Sequence, residues 1–284
     1  MTGAHVSEAA RSKYEVLRES LSGLGSLAVA FSGGVDSALL VRVAHDVLGD
    51  KTLAVTAASS TYPTAEEEAA RELAAGLGVS HVVIHTEELD IEGFKENPPD
   101  RCYYCKRELF TRIRQVAEER GIANIADGSN ADDLKDYRPG ARAVRELGVL
   151  TPLRDAALTK ADIRALSHEL GLPTWDKPAY ACLASRFPYG TEITPEKLER
   201  VRKAEDVLRE LGFRQCRVRD HEGVARIEVE PDRVSDLAGA ETAGVVSRRF
   251  KEFGFDYVTV DLEGYRTGSM NEVLPTEVSA DDSG

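Results

Sequence analysis

The chain has 284 residues, 42% of them hydrophobic and 30% charged, and 49 acidic against 36 basic side chains give it a formal net charge of −13. It is long enough for one large or two smaller cores, too apolar for a disordered chain, and too acidic to bind nucleic acid through its overall field. Four cysteines make no disulfide scaffold, apolar runs such as 27–31 are far too short to span a bilayer, and the opening stretch MTGAHVSEAARSKYE has no apolar segment that would direct secretion, so the expectation is a reduced, cytoplasmic protein with neither membrane nor nucleic acid as partner.

Residues 4–21 read as an amphipathic helix with Tyr14, Leu17 and Leu21 on one face. The run LAVAF at 27–31 suits a parallel strand buried on both faces. A helical pattern follows over 37–48 and stops at Gly49, then a strand over 52–58. A helix over 64–77 is expected to open on Thr64 as cap, with Glu66, Glu67 and Glu68 near its positive end. Strand 81–86, helix 105–120 and a short strand 124–127 complete the alternation. Strands alternating with helices imply a parallel sheet with right-handed crossovers, whose ligands sit beyond the carboxyl ends of the strands. After about Trp175 the pattern changes. A loop over 177–190 precedes a helix over 195–211 with Thr194 as cap and Pro195 in its first turn, strands near 215–219 and 224–230, a helical region 235–253 and a strand 256–262. The expected division is an α/β parallel-sheet domain over 1–175, an active-site loop over 176–190, a smaller α+β domain over 191–274 and an acidic, frayed tail over 275–284.

Ser32-Gly33-Gly34-Val35-Asp36-Ser37 lies between the first strand and its helix. Two glycines let backbone N–H groups converge on an anion, and the helix adds its positive end. Ser32 and Ser37 can donate to phosphate, whereas Asp36 is repelled by bare phosphate and suits a Mg²⁺ ion bound to it. The Walker lysine is missing, so the loop is not that of kinases and GTPases. Its plainer alternative is a glycine-rich turn with a serine cap.

SGGVDS resembles the PP-loop of the ATP pyrophosphatase superfamily, which cleaves ATP between its α and β phosphates. NPPDRCYYCK (97–106), DGSNADD (127–133) with DYRPG (136–140), KPAYACLASRFPYG (177–190) and GYRTGSMN (264–271) narrow the likeness. Together they resemble the ATP-dependent sacrificial sulfur transferases of the LarE family over roughly residues 10–272. The resemblance implies a PP-loop fold and ATP with Mg²⁺. It implies adenylation of the carboxylates of pyridinium-3,5-biscarboxylic acid mononucleotide and their conversion to thiocarboxylates, which matures the nickel-pincer cofactor of lactate racemase. Cys182 matches the cysteine that gives up its sulfur and becomes dehydroalanine. An iron–sulfur cluster is disfavoured, because the CLASR stretch holds a single cysteine, with a three-ligand cluster on Cys102, Cys105 and Cys182 as the alternative.

Arg186, four residues beyond Cys182, can favour thiolate over thiol and is counted among the substrate-binding residues. Alternation places Cys216 with Val218 on a buried face, and Arg217 with Arg219 on the other, as a clamp for a mononucleotide phosphate or as a solvated face paired with acids such as Glu228. Ser129 is expected at the nucleotide, and Asp132 and Asp133 at Mg²⁺ or ribose or else in a capping turn. Glu205 and Glu228 are candidates for a second metal site. Cys102 and Cys105 are read as structural or mildly redox-active, Tyr103 and Tyr104 as stacking or packing residues, and Trp175 and Tyr265 as packing. A homo-oligomer is expected. The rival readings are an ammonia-using amidotransferase or ligase, a tRNA-thiolating enzyme working through Cys102 and Cys105, and a non-enzymatic nucleotide sensor.

Overall fold

Three consecutive residues of the first strand, Leu27, Ala28 and Val29, have no solvent exposure, because their strand is central in a sheet covered on both faces. The computed structural model describes residues 6–62, 64–135, 139–178 and 181–273. The acidic tail, Tyr180, part of the DYRPG motif and the side chain of Thr64 lie outside the described residues. The chain divides into two compact units, one built on residues up to 86 and 102–177, the other on 87–101 and 178 onward.

The first unit holds β1 (Leu27–Ala30), β2 (Thr52–Ala58), β3 (Ser80–His85) and β4 (Asn124–Ala126) in the order β3-β2-β1-β4. Every pairing is parallel, with Ala30 beside Val55 and Val29 beside Ala126. Leu27 and Val29 point into one apolar layer, with Leu17 and Leu21 of α1 (Glu8–Ser22), Leu39, Leu40 and Val43 of α2 (Val35–Leu48), and Ile163 and Leu166. Ala28 points into the other, with Phe110, Ile113 and Ala117 of α4 (Arg101–Glu119). Between α2 and α4 runs α3 (Thr64–Leu77). After β4 come α5 (Gly140–Glu146), α6 (Pro152–Asp155) and α7 (Lys160–Glu169), the last opened by a capping box between Thr159 and Asp162.

The second unit packs α8 (Pro195–Glu210) on β5 (Arg217–His221) through Leu198, Val201, Ala204, Val207 and Leu208. β5 and β6 (Val224–Glu228) form an antiparallel hairpin closed by Glu222 and Gly223, both at positive φ (53° and 98°), the geometry that matches strand twist. Helices α9 (Val234–Ala238) and α10 (Ala240–Glu252) lead to β7 (Tyr257–Val260), which pairs parallel to β6. The single helical region expected over 235–253 is therefore two helices, parted at Gly239 in extended conformation (ψ 139°). β5 lies two residues beyond the expected 215–219, and Arg217 through Asp220 are all buried, so neither face of this strand is solvated.

Candidate functional site

The glycine loop leaves the carboxyl end of β1. Gly33 has φ +65°, and a Cβ there would stand 3.2 Å from Ala70 of α3, so the position needs glycine for conformation and for space. Gly34 caps α2 without a side chain of its own, which leaves the helix's first N–H groups to an outside anion. Ser37 Oγ donates to the Gly34 carbonyl (3.2 Å) and lies 3.3 Å from Ser32 Oγ, so both hydroxyls gather on the turn. A Cβ on Gly128 would sit 3.2 Å from the Ser37 amide nitrogen. The backbone after β4 therefore presses directly on the start of α2.

Asp127 is buried and accepts from Lys106 Nζ (2.6 Å), the Ser129 amide (2.7 Å) and the Ser129 hydroxyl. Burial pushes its carboxyl pKa up, but the Lys106 charge and these hydrogen bonds outweigh it and the net shift is downward. Desolvation likewise pulls Lys106 down and Asp127 overcomes it, so the ammonium is held above its ordinary value. Ser129 has its hydroxyl turned onto Asp127.

Asp36, in the first turn of α2, meets Lys160 Nζ at 2.5 Å through Oδ2 and the Asn130 amide at 3.4 Å through Oδ1. A carboxylate seated on a cation beside a phosphate-shaped turn is a donor of the hard-oxygen kind that Mg²⁺ takes. Asp132 accepts from the Lys160 amide (2.8 Å) and Asp133 from the Asn130 amide (2.9 Å). Asp133 thus bonds within its own turn, whereas Asp132 caps the start of α7. Lys177 Nζ reaches the Gly33 carbonyl (3.2 Å) and Glu66 (2.8 Å).

In the second unit Cys182 precedes a single 3₁₀ turn, 183–186. Its carbonyl accepts from the Ser185 amide (3.0 Å), the Ser185 hydroxyl (2.8 Å) and Arg186 Nη1 (3.2 Å). The residue is half-buried and in no disulfide. Arg186 is fully buried and forks onto Glu205 (2.7 and 3.0 Å), its third nitrogen spent on the Ala181 and Cys182 carbonyls and Ser185 Oγ. Direct substrate contact by Arg186 is therefore replaced by a role in holding the cysteine's backbone. Motif 97–106 contributes to the same loop. Asn97, at φ 53°, donates to the Phe187 and Pro188 carbonyls (3.2 and 2.7 Å) and accepts from Arg101 (2.7 Å), which lies over the Tyr189 ring. Sequence reasoning passed over Asn97 and Arg101, whose visible signal was only the pairing of two unusual stretches in one chain.

Arg217 and Arg219 are both buried. Arg219 forks onto Glu228 (3.0 and 2.7 Å) and also donates to the Ser185 carbonyl and Ser269 Oγ. Arg217 donates to the Cys216 carbonyl (2.7 Å) and lies over the Tyr265 ring. Burial and the nearby Arg186 charge lower its pKa, in part countered by Glu205. Glu205 accepts from Arg186, Arg209 and the Val218 amide, and Glu228 from Arg219, Arg226 and Ser269. The second metal site expected on these two acids is corrected accordingly. Each would have to surrender a guanidinium to bind an ion, and among the described residues no three His, Cys, Asp or Glu side chains gather to hold one. Cys216 is a core residue, its thiol pushed up to about 12 by burial.

The remaining candidates lie elsewhere. Tyr103 donates to Glu146 (2.6 Å) beneath Arg142, with Tyr104 edge-on to it. Cys102 and Cys105 open α4, the first exposed and the second half-buried. Trp175 packs on His168.

Residues 15–105 match the asparagine synthase family. Over 263 residues the chain is 45% identical to an uncharacterized protein of Synechocystis sp., covering 93% of this chain and 98% of that one. It is 41% identical to the pyridinium-3,5-bisthiocarboxylic acid mononucleotide synthase of Lactiplantibacillus plantarum, covering 92% and 95%. The chain belongs to the LarE family. Its likeness to one chain of the glutamine-hydrolyzing GMP synthase of Archaeoglobus fulgidus is fainter, 29% identity over 66% of this chain and 65% of that one. A LarE-family chain is an ATP-dependent enzyme of the PP-loop type, and the four-stranded parallel sheet of the first unit is the fold of that family's ATP-using domain. Among the described residues of this LarE-family protein no helix is long and apolar enough to cross a membrane.

Proposed function

We propose that this protein is the sulfur transferase that makes pyridinium-3,5-bisthiocarboxylic acid mononucleotide from the corresponding biscarboxylic acid, in maturation of the nickel-pincer cofactor of lactate racemase. The Lactiplantibacillus plantarum relative carries the product in its name. A substrate carboxylate oxygen attacks the α-phosphorus of ATP and pyrophosphate departs, which converts an oxide leaving group into AMP. Ser32, Gly33, Gly34, Val35 and Ser37 cradle the phosphates, Ser129 approaches the nucleotide, and Asp36 holds Mg²⁺. The ion neutralises phosphate charge when bound.

The Cys182 sulfur then attacks the acyl-adenylate carbonyl and AMP leaves, giving a thioester. Loss of the Cys182 Cα proton and cleavage of its Cβ–S bond release the thiocarboxylate and leave dehydroalanine. Arg217 receives the mononucleotide phosphate, and Arg219 stays committed to Glu228 and the Ser185 carbonyl. Arg186, Glu205 and Glu228 position the cysteine turn and the arginines. The carrying observation is the contrast among cysteines. Cys182 is half-buried on a backbone pinned by a charged donor, whereas Cys216 is sealed in the core. Cys102 and Cys105 serve the start of α4, without a cluster. A cytoplasmic homo-oligomer completes the reading.

Incubation of the full chain with ATP, Mg²⁺ and the biscarboxylic mononucleotide, followed by intact mass and peptide mapping, tests it. The expected product is a protein lighter by H₂S, with the change at Cys182. Thiocarboxylate formed by a protein of unaltered mass would refute sacrifice, and Cys182→Ser is expected to abolish product altogether.

A further inference from the structure

Lys160 stands where its charge is a liability to its own helix. It is the first residue of α7, at the positive end of the macrodipole, where a cation is unfavourable. The helix is already well opened there by Thr159 and Asp162. The lysine's own amide is held by Asp132 (2.8 Å), and the preceding turn is tied in by the Ala131 amide on the Leu158 carbonyl (2.9 Å). From this anchored base its ammonium crosses to Asp36, 124 positions away in the sequence, and meets Oδ2 at 2.5 Å. Asn130 covers Oδ1. Both oxygens of the acid that the phosphate loop offers to a metal are thus occupied by donors of this same chain.

An ammonium and a divalent cation cannot both sit on one carboxylate at contact distance, since their mutual repulsion is strong in a half-buried site. We infer that Lys160 keeps the metal seat on Asp36 closed until nucleotide phosphate arrives to take the ammonium over, so that Mg²⁺ and ATP enter together. This rests on the reading of the loop as an ATP site. The chain has no lysine inside the loop itself, and Lys160, delivered from a distant helix, supplies that charge. As the carboxylate–phosphorus bond forms and the bond to the pyrophosphate oxygen breaks, the freed ammonium stabilises the charge gathering on the leaving group.

The probe is Mn²⁺, followed by its electron paramagnetic resonance signal on the full chain without nucleotide. Lys160→Met is expected to bind bare Mn²⁺ about fivefold more tightly than wild type, and Lys160→Arg no more tightly than wild type. With ATP present the order reverses, the methionine variant binding Mn²⁺·ATP roughly tenfold more weakly for want of a charged donor. Circular dichroism checks the fold, and Lys160→Gln gives the same readout should the methionine variant unfold. Bare Mn²⁺ bound no better by the neutral variants than by wild type overturns the assignment while leaving the ATP site standing. Wild-type protein that fails to bind Mn²⁺·ATP removes the ATP reading, and this inference with it.

Discussion

The two units hold their charges in opposite ways. In the first, three acids each meet a lysine: Asp127 with Lys106, Asp36 with Lys160, Glu66 with Lys177. The lysines retain 36%, 34% and 20% of their side-chain exposure. In the second, Arg186–Glu205 is wholly buried and Arg219–Glu228 nearly so. A lysine is a point charge on a flexible stem and exchanges partners readily, whereas a guanidinium fork matched to a carboxylate is held in plane by two bonds at once. On the proposed reading, exchange suits a loop that admits phosphates and metal, and rigidity suits a turn that presents one cysteine sulfur in one place.

The sharpest break in that contrast comes at Glu205. Glu205→Ala would strand Arg186, leave Arg209 to its pairing with Asp206, and release the Val218 amide. A buried charge left without its partner costs about 3–5 kcal/mol, to be read from urea unfolding of the second unit. A loss below about 1 kcal/mol would mean that the arginines find water, and the rigid half of the comparison would fall. Next comes Gly264→Ala in the GYRTGSMN motif. A Cβ there would lie 2.7 Å from the Val229 carbonyl and 2.9 Å from Pro231 Cα, at φ +69°. Backbone on both sides cannot step aside, so the loss is expected to exceed about 1 kcal/mol. Ser269 of the same motif would be drawn off Glu228. Weaker packing of Arg219 should show as a rise in KM for the mononucleotide.

Much of the first unit was legible because its signals are local. The run of small apolar residues in β1 announces a central parallel strand, and two glycines between strand and helix announce the tight turn that Gly33 makes at φ +65°. Cys216 was legible by alternation. Arg217 and Arg219 were not, since a charged residue in a strand ordinarily marks its wet face, and burial is made bearable for Arg219 by Glu228, Ser269 and the Ser185 carbonyl and for Arg217 by the Cys216 carbonyl and the Tyr265 ring. The grouping of 87–101 with the second unit, through Asn97 and Arg101, was equally hidden. It depends on hydrogen bonds to carbonyls 90 positions away, which no periodicity encodes. Lys160 left one trace, a cation at the wrong end of a well-capped helix.

Asp127 tests the first unit through pH. Its carboxyl pKa is depressed in the fold, so its contribution is complete above the ordinary carboxylate value of about 3.9 and fades as pH falls through the depressed one. Asp127→Asn should therefore cost about 1.5–3 kcal/mol, the usual worth of a hydrogen bond to a charged group. That difference from wild type should stay flat from neutral pH down to about 5 and shrink only below about 4. A difference that vanished already near pH 6 would mean Lys106 does not hold the acid down.

The smallest effect is expected at Glu66. Its partner Lys177 also donates to the Gly33 carbonyl, and both side chains keep about a fifth of their exposure. Glu66→Gln preserves the shape and an acceptor oxygen, so the ammonium stays solvated and bonded. Exposed and half-exposed pairs of this kind contribute about 0.2–1 kcal/mol and weaken with salt. Urea unfolding of Glu66→Gln should therefore lie within about 1 kcal/mol of wild type, and the gap should narrow further in strong salt. Side by side with Glu205→Ala, the two variants remove one carboxylate charge each, Glu66→Gln keeping side-chain shape and an acceptor oxygen and Glu205→Ala keeping neither. Equal losses would mean that a lysine pair beside the phosphate loop is as unyielding as a buried arginine fork. The loop would then have no charge free to follow an incoming phosphate.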